Sequence, residues 1–236
     1  MVDIHCHILP GIDDGPATWE TTAQMCRTAA RDGITHIVAT PHCNGNYEYD
    51  RAYFTNMLAT LSEVAGERLT FTIGCDFHLS PRNLEAAMND PQRFAVGETQ
   101  YLMIEFDHQS IPTNASEMVM MLISRGMVPI ITHPERNAYL MKNLGQVQEF
   151  IKMGCLSQVT ANAFTGFWGS HSKKAVEKLL QKRAIHIVAT DAHDLHVRPP
   201  VLSEARKRVE SLAGGAVAEA LFVHNPAAVV AGRRVG

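Results

Sequence analysis

Twelve histidines stand in this chain of 236 residues. Many lie beside a carboxylate or another histidine, near the end of a short apolar run. His5 and His7 flank Cys6. Side chains alternate faces along a strand, so these two imidazoles point the same way, about 6–7 Å apart, and can lean onto one ion. Cys6 then points the other way, into packing. Asp191 and His193 repeat the spacing with a carboxylate and an imidazole. Asp13 and Asp14 sit in a Gly-Ile-Asp-Asp-Gly turn, where turn chemistry explains Asp13 better than Asp14. His42, Asp76, Glu105 and His133 each lie at or just past the end of a further apolar run.

The candidate ligand set is therefore His5, His7, Asp14, His42, Asp76, Glu105, His133, Asp191 and His193. It offers nitrogen and oxygen but no thiolate, which selects Mn, Fe, Zn or Mg over a structural Cys-zinc site. Nine side chains exceed the needs of one or two ions and suit three with open positions. Four carboxylates against three divalent ions leave a surplus of two positive charges, which attracts a dianion such as a phosphate monoester. Clustered cations also lower the pKa of a bound water, which makes a nucleophile.

Something must bring residues so far apart in sequence together. Short apolar runs at 2–7, 35–40, 70–74, 101–106, 128–132, 156–160 and 186–190 read as strands. They alternate with helical patterns at 17–32, 52–65, 81–88, 116–125, 144–153, 173–182 and 202–212, and two short helices are expected at 217–223 and 226–230. Strands separated by helices argue for parallel pairing, because each crossover needs a dozen or more residues. A small (β/α) barrel is the natural closure, with an open doubly wound sheet as the alternative. In a barrel the C-terminal strand ends share one rim, where active sites are built. The segment His-Ile-Val-Ala-Thr occurs twice, at 36–40 and 186–190, and each copy is soon followed by His. Two strands thus end in the same chemistry.

Composition narrows the function. Hydrophobic residues make up 46% and charged residues 19%, enough for a sizeable core in one domain spanning 1–236. The formal charge is -3, with no basic stripe for nucleic acid. No apolar run approaches the ~20 residues of a membrane span, and no signal-peptide pattern opens the chain. Five cysteines without a C-x-x-C pair fit free thiols in a reducing cytoplasm. None is followed six positions later by Arg, so a cysteine phosphatase is excluded. No P-loop motif occurs either.

With these residues in place, the sequence resembles the PHP (polymerase and histidinol phosphatase) superfamily. More closely, it is similar to the bacterial manganese-dependent protein-tyrosine phosphatases of capsule and exopolysaccharide operons. The segments that carry the resemblance are Val-Asp-Ile-His-Cys-His-Ile-Leu-Pro-Gly-Ile-Asp-Asp-Gly at 2–15, Ala-Thr-Pro-His at 39–42 and Ile-Glu-Phe at 104–106. Thr-His-Pro-Glu-Arg at 132–136, Ala-Thr-Asp-Ala-His at 189–193 and Arg-Pro-Pro at 198–200 complete them. The resemblance implies a distorted (β/α)7 barrel with a trinuclear, most often manganese, site. It assigns one ion to His5, His7 and Asp191. Glu105 and His133 hold a second, with Asp76 bridging to the first, and Asp14, His42 and His193 hold the third. The bridging position is usually Glu, one methylene longer than Asp76. Arg136 and Arg198 match arginines that the family places at the phosphate, and a guanidinium fork suits phosphate oxygens. The implied reaction is attack of a metal-bound hydroxide on phosphotyrosine in a protein, such as a tyrosine autokinase of polysaccharide export. His42 or Asp13 is a candidate general acid, although a phenol with a pKa near 10 leaves readily without one.

Three rivals have distinct signatures. A histidinol-phosphate or other small-molecule phosphatase needs a closed pocket rather than an open rim. An amidohydrolase often uses a strand-end lysine, and the lysines at 142, 152, 173, 174, 178, 182 and 207 all fall in expected helices or loops. A non-catalytic metal-binding regulator does not need so full a ligand set. His78 reads either as a further phosphate contact or as a surface imidazole. The aromatic segments Tyr47–Tyr53 and Phe164–Trp168 read first as packing under the barrel lip, and second as a rim for a substrate tyrosine. Aromatic surface residues are also compatible with an oligomer.

Overall fold

A computed structural model describes all residues, 1–236. Its strands are β1 (Val2–Cys6), β2 (His36–Ala39), β3 (His42–Cys43), β4 (Thr70–Ile73), β5 (Asp76–His78), β6 (Tyr101–Glu105), β7 (Val128–Thr132), β8 (Leu156–Thr160) and β9 (Ile187–Ala189). Every pairing is parallel. One ladder runs β1-β2-β4 and the other β3-β5-β6-β7-β8-β9. These ladders are two parts of one barrel wall. β3 continues β2 past Pro41, which has no N–H for the ladder, and β5 continues β4 past Gly74 and Cys75. Gly74 is needed there, since a Cβ would lie 2.8 Å from Val38 Cγ1. Counting each broken strand once, seven strands go round. The ring closes where β9 meets β1: Asp191 N donates to His5 O at 2.8 Å, and His7 N to Ala192 O at 2.9 Å. This is the distorted (β/α)7 barrel, and not an open sheet. His42, Asp76 and His78 lie on the short strand continuations, where the sequence had placed them in loops beyond the strands.

The helices surround the wall: α1 (Trp19–Asp32), α2 (Arg51–Ala65), α3 (Pro81–Asn89), α4 (Ala115–Ser124), α5 (Ala138–Lys142), α6 (Leu144–Lys152), α7 (Ala161–Thr165), α8 (Gly169–Gln181), α9 (Ser203–Ala213), α10 (Gly215–Glu219) and α11 (Asn225–Val230). Side-chain caps fix several starts. Thr18, Asp50 and Ser80 accept from Thr21 N, Tyr53 N and Asn83 N. Gly33 ends α1 in the left-handed conformation. The last two expected helices are joined by a wide π turn over Ala220–His224. Pro226 explains it: the proline cannot donate to a carbonyl four residues back, and the widened turn relieves the clash. No helix is long and apolar enough to cross a membrane.

Two apolar clusters hold the frame. A large one lies between wall and helices, around Met25, Phe77, Phe150 and Phe222. A small one fills the lower barrel interior with Val2, Ile4, Val38, Met103, Ile130, Leu156 and Ile187. β1 carries a register irregularity between Asp3 and Cys6. It lets Ile4 join the interior cluster and still turns the next residue, His5, toward Gln158 and Asp191 inside the rim. A bulge re-aims a side chain in this way.

Candidate metal centre

The structure brings all nine predicted ligands into one cluster, buried except at Asp14, which is exposed, and His42, which is partly so. Every one of them belongs to a group of three or four whose donor atoms lie within 4.8 Å of each other. Strand register does much of the work: His42 pairs with Asp76, and His78 with Glu105, on neighbouring strands. His133 (φ 32°) and Asp191 (φ 52°) each leave a strand end in the left-handed region. Non-glycine residues are uncommon there, and such strain concentrates at functional sites.

His5 Nε2, His7 Nε2 and Asp191 Oδ1 form a near-equilateral triangle with sides of 3.4, 3.3 and 3.4 Å. Asp14 Oδ1 lies 3.3 Å from both His42 Nε2 and His193 Nε2. Glu105 Oε1 is 3.7 Å from His133 Nε2. Asp76 Oδ2 lies 3.5 Å from His5 Nε2, 3.9 Å from His7 Nε2 and 3.2 Å from His42 Nδ1. Asp76 thus meets His5 and His7 of one subsite and His42 of another, and it groups with Glu105 beside His42. Donors bound at about 2.0–2.2 Å to one ion are themselves about 3–3.5 Å apart, so most of these spacings suit shared cations. The subsites are not sealed from each other. The His7 ring sits 3.9 Å from that of His193 and 4.4 Å from that of His42.

Hydrogen bonding leads to the same kind of occupant. Asp76 is fully buried, and neither of its oxygens has a hydrogen-bond partner; His42 Nδ1 and His193 Nε2 are also orphaned. Buried ionisable groups left so are costly unless a cation satisfies them. The remaining ring nitrogens are anchored by neighbours. Asp13 accepts from His7 Nδ1 at 2.8 Å, and also from the backbone N–H groups of His42 and Gly15. Gln158 Oε1 meets His5 Nδ1 at 3.0 Å, and the Asp191 carbonyl meets His193 Nδ1 at 3.0 Å. Such partners fix ligand orientation in metal sites. Asp13 thus acts through His7 rather than only in the turn.

The electrostatics separate two kinds of group. Burial and the charge of Arg136 hold His133 well below the ordinary imidazole range. Burial and His7 bring His193 down to about 4. Both stand ready as neutral donors. Burial opposes the protonation of His5 and His42, but facing carboxylates outweigh it and raise them to about 9 and about 11. Burial and the Asp76 charge push Glu105 up to about 8. Without a cation, this cluster stores protons among its carboxylates.

Arg136 and Arg198 both bind Asp191 Oδ2 at the edge of a cavity of about 430 Å³, whose lining also includes Asp14, His42, Asp76, Glu105 and His133. His78 reaches this lining, 4.0 Å from Glu105 Oε2. The aromatic segments divide. Tyr49 and Phe164 are core residues, as the packing reading expects. Tyr47 instead lines the cavity, nearly parallel to the His42 ring at 5.9 Å, and Trp168 lies over the arginines.

The family model for capsular polysaccharide synthesis, CpsB/CapC, matches residues 1–231. The chain belongs to the CpsB/CapC family. Among relatives, the Staphylococcus aureus putative tyrosine-protein phosphatase CapC is 34% identical over 208 residues, 86% of this chain and 81% of that protein. The Bacillus subtilis tyrosine-protein phosphatase YwqE is 32% identical, over 84% of this chain and 79% of its own length. A solved structure from the pair YwqE of B. subtilis and CpsB of Streptococcus pneumoniae, described as metal-dependent tyrosine phosphatases, aligns with a TM-score of 0.94 at 30% identity. It covers all of this chain and 96% of that one. A Listeria monocytogenes lactonase aligns at 0.67 with 14% identity, a likeness of fold alone. This CpsB/CapC chain thus carries the barrel of its relatives, with the nine side chains gathered at one rim.

Several contributors escaped the sequence. Asp3 is fully buried and accepts from Thr190 N and from Thr190 Oγ1, on the approach to Asp191. Its signal was an acid between two apolar residues, Val2 and Ile4, in the first strand. Gln158 sits in a strand whose polar residue gave no hint of a histidine partner. Trp168 and Tyr47 had signals, but packing was the stronger reading.

Proposed function

We propose that this chain is a metal-dependent protein-tyrosine phosphatase that hydrolyses phosphotyrosine on protein substrates. The observation that carries the reading is Asp76, a fully buried carboxylate with no hydrogen bond to either oxygen, set among imidazole nitrogens at 3.2–3.9 Å. His5, His7 and Asp191 would hold one divalent ion, Glu105 and His133 a second, and Asp14, His42 and His193 a third, with Asp76 shared between the first two. The oxygen- and nitrogen-rich donors suit manganese, and iron, zinc or magnesium as alternatives. When bound, such ions supply positive charge to phosphoryl oxygens and lower the pKa of water.

The chain's own residues do the rest. Arg136 and Arg198 present guanidinium forks beside the cluster, where they can bind and orient a phosphoryl group. Both ring nitrogens of His42 face carboxylates, Asp14 on one side and Asp76 with Glu105 on the other, which favours a ligand over a general acid. A phenolate leaving group tolerates that. Asp13 and Gln158 keep His7 and His5 turned to the cluster. The rim residues Gly45, Asn46, Asp107 and His108 are exposed, which suits a tyrosine presented by a protein better than a sealed small-molecule pocket. The family's tie to capsular polysaccharide synthesis makes a tyrosine autokinase of polysaccharide export the proposed substrate.

Side-by-side turnover of a phosphotyrosine peptide and histidinol phosphate by the manganese-loaded protein tests this reading. Preference for the peptide, abolished in Asp191→Ala, is expected. Preference for histidinol phosphate supports the small-molecule alternative. Metal binding with turnover of neither supports a non-catalytic regulator.

A further inference from the structure

We propose that Trp168 is a positioning residue that gathers Arg136 and Arg198 into one phosphate-binding fork. The proposal rests on the reading of those arginines as the phosphate-binding pair. The guanidinium carbon of Arg136 lies 4.2 Å from the Trp168 ring centroid, and that of Arg198 lies 5.7 Å away. Both guanidiniums bind the same atom, Asp191 Oδ2. Two cations sharing one carboxylate oxygen repel each other. Asp191 cannot offset this alone, because its other oxygen faces His5 and His7. The electron-rich face of an indole supplies the missing attraction, and a planar guanidinium uses that face better than an ammonium does. Arg198 Nε is buried without a hydrogen-bond partner, so few other contacts hold this side chain.

Trp168 is itself fixed. Its Nε1 donates to Asn162 Oδ1 at 2.6 Å, and Phe167 packs edge-on at 4.9 Å. Asn162 lies on α7, directly after β8, so the ring is tied to the barrel wall that carries the ligands. The half-buried indole does not line the cavity. Its effect therefore passes through the arginines. It orders two long side chains before the phosphoryl group arrives, and so reduces the entropy lost on binding.

The test uses Trp168→Leu and Trp168→Phe in the manganese-loaded protein. Trp168→Leu is expected to raise KM for a phosphotyrosine peptide and the inhibition constant of inorganic phosphate by about tenfold each, the size of a desolvated cation–π contact. The turnover number should change by less than about threefold, and Trp168→Phe should recover most of the loss. A second readout needs no turnover. Trp19 and Trp168 are the chain's two tryptophans, so in a Trp19→Phe background inorganic phosphate should shift the remaining emission, with half of the change at its inhibition constant. The proposal is overturned if Trp168→Leu leaves both constants within about twofold, if it lowers turnover alone, or if saturating phosphate leaves the emission unmoved. Loss of phosphate affinity in Arg136→Lys and Arg198→Lys with Trp168→Leu unaffected sinks the platform and spares the phosphatase reading. A wild-type protein inactive on phosphotyrosine sinks both.

Discussion

The lower and upper halves of the barrel interior are built by the same strands from opposite materials. Below, Ile4, Met103, Ile130, Leu156 and Ile187 fill the space with apolar groups that need nothing further. One or two residues further along the same strands stand His5, Glu105, Thr132 and Gln158, and just past the end of β9 stands Asp191, all buried. In this upper half, Asp76, His42 and His193 keep polar atoms without partners. The lower half satisfies itself on folding, while the upper half is held open for a cation. The stable half thus holds the costly half in place, and substitutions in the two should fail in different ways.

Asp191→Ala gives the largest contrast. It removes the carboxylate that joins the histidine triangle to both arginines, and should lower kcat/KM on a phosphotyrosine peptide about a thousandfold or more. Steady-state kinetics with matched metal content checks this. Ile130→Ala is the mirror experiment. It should cost about 2–4 kcal/mol in chemical denaturation, with turnover per folded molecule nearly unchanged. Equal damage to both properties in either variant would erase the distinction.

Proton linkage sharpens the comparison. In the cation-free protein, His5, His42 and Glu105 have pKa values raised to about 9, about 11 and about 8, so each holds a proton at neutral pH. Divalent ions must displace those protons. Affinity for manganese should therefore rise from pH 6 to 7.5, with net proton release in calorimetry across buffers of different ionisation heat. A pH-independent affinity would contradict the proton store.

Asp3 links the two halves and gives a smaller effect. Burial raises its carboxyl to about 6, against hydrogen bonds from Thr190. A raised acid favours the folded state when protonated. That stability is present below about pH 4 and is lost as pH rises through about 6. Asp3→Asn should then gain on the wild type across this window, by up to about 2–3 kcal/mol in the cation-free protein. Thermal unfolding at several pH values reads the gap, and a constant gap refutes the assignment.

The sequence made the barrel legible through alternation, and the ligands through repetition at strand ends. β7 (Val128–Thr132) and β8 (Leu156–Thr160) have the bounds that their apolar runs predict. What stayed hidden depends on three dimensions. The two-residue strand at His42 is too short to carry a period, and it exists because Asp76 lies alongside. The turn of His5 from core to rim depends on a strand irregularity that no pattern announces. Trp168 looked like packing because no spacing in the chain reveals that two distant arginines meet over its ring. Asp13 was visible as a turn residue and a candidate general acid, but not as the partner that orients His7.

Elemental analysis of the purified, manganese-saturated protein addresses the central claim most directly. Three ions per chain are expected, falling in variants that lack Asp14, Asp76 or Asp191. A wild-type chain that retains no stoichiometric metal, or a triple variant that retains all of it, would contradict the account.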